Sequence, residues 1–424
     1  MKTLIYGNGV SGQTIKKILQ SENVDYDILD KRGGVNVKKK LKKYELNNYN
    51  RIIFSPGINV NDKVLIQAKD RAIEVIGELE YGYRYVGGDI ITVTGTNGKT
   101  STVRVIGEIL ARNHDVALRG NIGEPLSVEY FGKHEICVVE ASSFQLQSVE
   151  KYKSKINILL NIAPNHLDVH KDMDEYVRAK FNMFKNNDEN TINIINFDNQ
   201  TIMSSIDKVA GNIIYISLCQ KVHGIYIKNG YIYNNIHDKN IKLCKVDDIH
   251  QNKAYIYNFL VGIVVGLLYD VNITDIIDSI NQFKVSVNRQ EIVNKINGVT
   301  YINDSKSTNV ASTINCISNI DSPVILLMGG KSKQIPYDDI FKLKSLPKYI
   351  IAFGKSRKKI VKCARINGYK NILSVKRMKN SVAIAKKIAE CGDYVVLSPA
   401  CSSFDEFNSY SERGDKFKEY VRDL

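Results

Sequence analysis

No apolar run in this 424-residue chain is long enough to cross a bilayer, and its opening, Met1-Lys2-Thr3-Leu4-Ile5-Tyr6-Gly7, lacks the hydrophobic core of a secretory signal. A strand pattern begins at once and leaves no room for a transit peptide. These absences predict a cytoplasmic protein with no membrane partner. Paired cysteines are missing as well. Cys137, Cys219, Cys244, Cys316, Cys363, Cys391 and Cys401 are scattered, odd in number and never spaced Cys-x-x-Cys. That spacing excludes a disulfide framework or thiolate zinc site and points to a reducing compartment. The seven histidines form no tight metal-binding cluster. Internal repeats and extended low-complexity tracts are absent too.

What is present is the composition of a globular protein, 43% hydrophobic and 25% charged. The length predicts two to four domains. The net charge of +14 reads as a general compositional bias, because lysine, asparagine, isoleucine and tyrosine are abundant throughout, and Lys38–Lys43 is one short solvated run. No nucleic-acid module accompanies the charge, so no nucleic-acid partner is expected.

Short apolar strands alternate with helical periodicity from the start. Thr3–Tyr6 reads as a buried strand, Gly7–Gly12 as a turn, and Ile15, Ile18 and Leu19 as one helix face. Tyr26–Leu29 and Ile52–Phe54 are further strands, and Gly87-Gly88 is a plausible boundary. A second segment opens with strand Ile90–Thr94, a Gly-rich loop, and a helix presenting Val103, Ile106 and Leu110. Strands Ile136–Val139 and Ile156–Leu160 follow, then a loop at Asn186–Asn190, a hairpin over Ile225–Tyr233 around Asn229-Gly230, and a long helix Tyr255–Leu268. A third segment starts near residue 286, with strands Thr300–Asn303, Val324–Met328, Tyr349–Phe353 and Tyr394–Leu397. The expected fold is α/β with three domains: 1–88 Rossmann-like, 89–285 a P-loop ATPase-type α/β domain, and 286–424 Rossmann-like. Ligands in such sheets bind beyond the carboxyl ends of the strands.

Gly95-Thr96-Asn97-Gly98-Lys99-Thr100 lies between a strand and a helix, where a phosphate loop belongs. Glycines let backbone amides approach phosphate oxygens, Lys99 can bridge the terminal phosphates, and the Thr100 hydroxyl can ligate Mg²⁺. The strict pattern wants a further glycine where Val93 sits. Gly7-x-Gly9-x-x-Gly12 followed by Asp30 looks like a dinucleotide fingerprint, which suits UDP as well as NAD, or else close strand–helix packing alone. Glu140, ending a strand, has the chemistry of a Mg²⁺ ligand if that strand neighbours the phosphate loop. On local pattern alone, His166 reads as an ordinary loop histidine, Asp304–Asn309 as a polar strand end or a capped turn, and Lys180 as one of 59 basic residues.

Taken together the segments resemble the Mur ligases over essentially the whole chain. The shared motifs are Val93–Thr102, Gly120-Asn121-Ile122-Gly123, Glu140–Leu146, Asn165-His166-Leu167-Asp168, Arg178-Ala179-Lys180 and Asn303–Asn309. Ser55-Pro56-Gly57-Ile58, Val75–Glu80, Leu397–Phe407 and Arg413-Gly414-Asp415 resemble the branch that adds D-glutamate. The resemblance implies a monomeric, ATP-dependent ligase of peptidoglycan precursor synthesis, joining D-glutamate to UDP-N-acetylmuramoyl-L-alanine through an acyl phosphate. It gives the UDP-sugar to Gly9, Val10, Ser11, Arg32, Ser55 and Asn121, with Ser142 and Gln145 also on the substrate. ATP falls to Gly95, Thr96, Asn97, Gly98, Lys99, Thr100, Ser101, Asn258, Arg289 and Asp304. One Mg²⁺ goes to Thr100 and Glu140 and a second to His166 and a carbamate on Lys180; Lys99, Glu140, His166 and Lys180 form the catalytic set. Lys306, Thr308, Lys333, Ser403, Phe404 and Tyr410 surround the incoming amino acid.

Some positions depart from the family pattern. Asn288 and Gln290 flank Arg289 where histidine usually precedes it, Ala254-Tyr255 replace a His-Asn pair, Asn165 stands for an acidic residue and Ala141 for leucine. Alternatives are a Mur-type ligase for another amino acid or a folate-like substrate, a non-catalytic nucleotide-binding homologue, and an NAD-dependent oxidoreductase built on Gly7–Gly12.

Overall fold

The computed structural model describes residues 2–33, 37–39, 43–167, 169–249, 255–284, 287–318, 320–332 and 336–424. Three sheets carry the chain. The first is all parallel, in the order Val37–Lys38, Tyr26–Leu29, Thr3–Tyr6, Arg51–Phe54, Glu74–Gly77. Alternation along its strands feeds two cores. Leu4, Tyr6, Ile52 and Phe54 pack with Leu65 and Ala68 of helix Lys63–Lys69 on one face. Ile5 and Ile53 meet Ile15, Ile18 and Leu19 of helix Val10–Ser21 on the other.

The second sheet has nine strands: Ile241–Lys245, Tyr231–Asn234, Gly224–Lys228, Asn212–Ser217, Ile192–Asn196, Ile156–Leu159, Asp89–Thr94, Ile136–Glu140 and Val116–Gly120. Only the pairs involving Tyr231–Asn234 are antiparallel. The expected hairpin is there, its turn made by Asn229 (φ 50°) and Gly230 (φ 74°), the positive angles a two-residue turn of this twist requires. Helices Lys99–Leu110 and Ile256–Leu268 lie against each other. A methyl group at Gly262 would stand 2.7 Å from the Val105 side chain, so the glycine allows that close approach.

The third sheet runs Glu291–Ile296, Val299–Asn303, Tyr394–Leu397, Val324–Gly329, Tyr349–Phe353, Ile372–Ser374. It is parallel except for its first pair and is covered on both faces by separate hydrophobic clusters. Among the described residues no helix is long and apolar enough to cross a membrane, and all seven cysteines are free thiols.

The chain divides into two compact units. One holds the first two sheets, and the other holds the third sheet with Ala163–Met173. Two glutamates of helix Glu78–Tyr83 help to fasten the first two sheets together within their shared unit. The Glu80 carboxylate, buried, accepts the backbone N–H groups of Glu150 (2.9 Å), Lys151 (2.9 Å) and Tyr152 (3.0 Å). Glu78 accepts the Ser127 N–H at 2.9 Å, and burial pushes its carboxyl upward from the usual range. Glu80→Ala leaves three backbone donors without their carboxylate, that of Tyr152 buried, a cost of about 3 kcal/mol. Its thermal transition is expected to fall by about 5–10 °C in a scanning calorimeter, whereas Glu150→Ala, which keeps the N–H, shifts it little.

Candidate active site

The phosphate loop sits at the carboxyl end of strand Asp89–Thr94 and runs into helix Lys99–Leu110, with Gly98 as its left-handed N-cap (φ 86°). Its shape is imposed from outside. Asn161 clamps it three ways: its Oδ1 accepts the Asn97 N–H (2.8 Å), its Nδ2 donates to the Asn97 carbonyl (3.0 Å), and its own carbonyl accepts the Thr96 N–H (2.8 Å). Asn258 donates to the Thr102 hydroxyl (2.6 Å) and the Gly98 carbonyl (3.1 Å), which places it against the loop and the start of its helix. The Thr96 hydroxyl meets the Tyr176 hydroxyl at 3.1 Å.

Four side chains gather at this loop. Lys99 folds over it, donating to the carbonyls of Gly95 (2.8 Å) and Thr96 (3.1 Å). Thr100 Oγ1 donates to Glu140 Oε2 at 2.8 Å, and Asn121 Nδ2 donates to Glu140 Oε1 at 2.8 Å. The strand of Glu140 pairs with the strand of the loop, Val93 opposite Glu140, which satisfies the condition set by the sequence. Ser101 turns inward, its hydroxyl buried.

Lys180 is 1% exposed and carries no carboxylate partner at ion-pair distance among the described residues; its Nζ donates to the Gly95 carbonyl (2.8 Å) and lies 4.8 Å from the Tyr176 ring centre. Burial first, and the Lys99 charge second, push its pKa well below the usual 10.5, against the opposing pull of Glu140. A lysine that looks like any other in the sequence is thus a buried amine beside the phosphate loop, its proton held less tightly than usual. Among the described residues no three His, Cys, Asp or Glu side chains form a metal cluster. The Glu140 carboxylate and Thr100 hydroxyl, 2.8 Å apart, are hard oxygen donors of the kind Mg²⁺ takes alongside phosphate and water.

In the same unit a cavity of about 500 Å³ opens between the first sheet and the Gly120–Pro125 turn. Gly9, Val10, Ser11, Arg32, Ser55 and Asn121, six residues assigned to the UDP-sugar, all line it. Gly12 is required for packing, since a methyl there would lie 1.9 Å from the Gly7 carbonyl oxygen, whereas a methyl at Gly9 would meet nothing within 4 Å. The backbone at Gly9 therefore faces open space at a helix N-terminus, where an anion is favoured. Asp30 already accepts from the Asn8 N–H (2.8 Å) and from the Arg32 N–H, Nε and Nη2 (2.9, 3.1 and 2.9 Å). Arg32 holds its carboxyl far below the usual range. Its occupied oxygens leave little for a ribose diol, which speaks against the NAD alternative. Ser142 and Gln145 are joined in a capping box at helix Ser143–Leu146 and lie outside this cavity's lining; the Gln145 Nε2 is buried without a hydrogen-bond partner.

The remaining expected residues belong to the second unit. Asp304 ends strand Val299–Asn303, 1% exposed, and accepts from Ser398 Oγ (2.7 Å) and the Gln290 N–H (3.3 Å); burial raises its pKa. Arg289 stands between two left-handed residues, Asn288 (φ 64°) and Gln290 (φ 49°), and its Nε is buried without a hydrogen-bond partner. Asn288 accepts from Asn303 Nδ2 (2.8 Å) and, at its carbonyl, from the Lys306 N–H (3.0 Å). Arg413, quoted for the resemblance but given no role there, is fully buried; it donates to the Ser305 hydroxyl (2.9 Å), the Ser305 carbonyl (2.8 Å) and the Cys401 carbonyl (3.1 Å). It thereby fastens the segments carrying Lys306, Thr308 and Ser403. Lys306 Nζ lies 5.8 Å from the Tyr410 ring centre, Ser403 is buried and Phe404 is exposed. His166 (φ 55°) is in this unit too, its carbonyl accepting the Val169 and His170 N–H groups. Lys333, Asp168 and Ala254 lie outside the described residues.

Residues 93–265 match the family model of the Mur ligase middle domain, and residues 288–401 that of the Mur ligase glutamate ligase domain. The chain belongs to the Mur ligase family. Within the family it is 33% identical over 434 residues to the UDP-N-acetylmuramoylalanine–D-glutamate ligase of Clostridioides difficile, covering 100% of this chain and 96% of that protein. The identically named ligase of Caldicellulosiruptor saccharolyticus is 36% identical over 381 residues, covering 88% of this chain and 84% of that one. In fold the chain resembles the pseudomurein peptide ligase type C of Methanothermus fervidus, with a TM-score of 0.63 and 18% identity over 100% and 99% of the two chains.

Proposed function

We propose that the chain is an ATP-dependent ligase that joins D-glutamate to UDP-N-acetylmuramoyl-L-alanine in the cytoplasmic synthesis of peptidoglycan precursors, the activity named for its relatives. The observation that carries the chemistry is the Thr100–Glu140 pair beside Lys99 at the mouth of a phosphate loop. A carboxylate is a poor acylating group because its oxygen leaves badly. In the proposed reaction the substrate carboxylate attacks the γ-phosphorus of ATP, forming an acyl phosphate and releasing ADP. The neutral amine of D-glutamate then attacks the acyl carbon, phosphate departs, and the amine proton passes to solvent as the amide forms.

Lys99 neutralises charge on the transferring phosphoryl group, and the Gly95–Thr100 amides orient it. Thr100 and Glu140 would hold one Mg²⁺, and His166 with a carbamate on Lys180 a second; bound magnesium supplies further charge neutralisation. The depressed pKa of Lys180 supports the carbamate, since only a neutral amine adds to CO₂. Gly9, Val10, Ser11, Arg32, Ser55 and Asn121 would hold the UDP-sugar, Ser142 and Gln145 its peptide end, and Asn258, Arg289 and Asp304 the nucleotide. Lys306, Thr308, Lys333, Ser403, Phe404 and Tyr410 would receive D-glutamate. The working division is three domains, 1–88, 89–285 and 286–424, in a monomer.

The test is to incubate the protein with ATP, Mg²⁺ and UDP-N-acetylmuramoyl-L-alanine, offer several amino acids separately, and weigh the products. A mass gain with D-glutamate alone is expected. Gain with a different amino acid overturns the substrate, and no gain with any overturns the ligase.

A further inference from the structure

The positive charge of this chain is concentrated, contrary to the even bias its composition suggests. Between Lys355 and Lys387 stand twelve lysines and arginines and no aspartate or glutamate. The other 391 residues carry 47 basic against 45 acidic side chains, so nearly all of the net charge of +14 resides in this one stretch. The stretch wraps the open edge of the third sheet. Helix Arg357–Ile366 buries Ile360 and Ala364 in the cluster on one face. Helix Met378–Ile388 buries Met378, Val382 and Ala385 in the cluster on the opposite face. Between them runs the last strand of the sheet, Ile372–Ser374.

The basic side chains point outward. Lys358, Lys359, Lys362 and Arg365 form the exposed stripe of the first helix, and Lys355, Lys370, Lys376, Arg377, Lys379, Lys386 and Lys387 are exposed around it. Among the described residues none of the twelve makes a side-chain ion pair with Asp or Glu; Lys386 reaches the Leu424 oxygen. Lys348, just before the stretch, pairs by contrast with both Glu390 and Asp393. Like charges four apart on a helix, such as Lys358 and Lys362, destabilise it. An anionic partner relieves that repulsion.

We propose that this rim docks the protein on an anionic lipid surface. Clustered lysines and arginines are attracted to such a surface through its summed negative potential and need no specific geometry. Two features favour lipid over nucleic acid. The only aromatic residue between 355 and 387 is Tyr369, 8% exposed, so the rim offers no ring on which a base could stack. Its exposed apolar residues are aliphatic: Ile366 at 73% and Leu373 at 37%, suited to the headgroup boundary.

The full-length protein should sediment with phosphatidylcholine vesicles containing about 30% phosphatidylglycerol and bind them at least tenfold more tightly than pure phosphatidylcholine vesicles, the difference collapsing at about 0.5 M salt. The variant Lys358→Gln/Lys359→Gln/Lys362→Gln/Arg365→Gln should lose about tenfold in vesicle affinity with its melting temperature and product formation unchanged. A second variant, Lys370→Gln/Lys376→Gln/Lys379→Gln, gives the same reading should the first fail to fold. Equal affinity for neutral and anionic vesicles, undiminished binding by folded variants, or tighter binding to a short RNA or DNA duplex at the same ionic strength each overturns the proposal.

Discussion

Lys99→Ala is expected to lower ADP release by about three orders of magnitude while the protein melts at its normal temperature, as removal of a preorganised charge from a transition state does. The side chain donates to two carbonyls of its own loop, and the clamp that shapes the loop is Asn161. Its loss therefore removes charge from the reacting phosphate without releasing the backbone around it. Coupled-enzyme detection of ADP with both other substrates present measures the effect, and near-normal turnover would refute the role given to the loop. Asn161→Ala separates the two contributions. It keeps the cation, and the 161 carbonyl that accepts the Thr96 N–H, but frees both backbone groups of Asn97, so it should raise KM for ATP more than it lowers kcat.

The second large effect is at Lys180. Lys180→Met should cost about a hundredfold or more in product formation, because the proposed carbamate is a ligand that methionine cannot supply. Stability should move the other way. Burial depresses the native pKa of Lys180 from 10.5, so at pH values between the depressed value and 10.5 the unfolded chain binds a proton that the native chain does not. Wild-type stability from this group thus rises with pH across that window and is lowest below it, where a charged ammonium must be buried. Methionine has no proton to bind, so the variant should melt at or above the wild-type temperature at neutral pH, with the gap closing as pH rises toward 10.5. Scrubbing CO₂ from the buffer should lower wild-type turnover and added bicarbonate should restore it. Turnover indifferent to both would leave Lys180 as an uncarbamylated amine.

The phosphate loop was legible in the sequence because its chemistry is local: strand, glycines, lysine and helix follow one another within a dozen residues. Of the first-domain cavity only the Gly7–Gly12 turn was legible locally; Ser11, Arg32 and Ser55 were assigned by resemblance, and the structure brings them to one lining. Lys180 was assigned only by resemblance. Its singularity is its burial against Gly95 and Tyr176, a tertiary fact that no spacing encodes. Arg413 and Glu80 stood in stretches quoted for the resemblance, but their contacts were hidden likewise, because most of their partners are backbone groups of distant segments, which leave no mark in a sequence. Strands Glu74–Gly77, Val116–Gly120, Ile192–Asn196, Asn212–Ser217, Ile241–Lys245 and Glu291–Ile296 went unread, and Glu140 and Gly329 fall inside strands read as ending one residue earlier. The edge strand Ile372–Ser374, only three residues long, offered too little alternation to detect.

The glutamate clasp bears on how ligand is selected. With the first two sheets fastened through Glu78 and Glu80, the walls around Gly9, Ser55 and Asn121 keep their spacing before anything arrives. A guest there meets a mould that is already set, so it forfeits little on ordering its host and is sorted by outline. If the proposed nucleotide sugar is that guest, loosening the clasp should blunt discrimination between nucleotide sugars before it weakens attachment to the correct one.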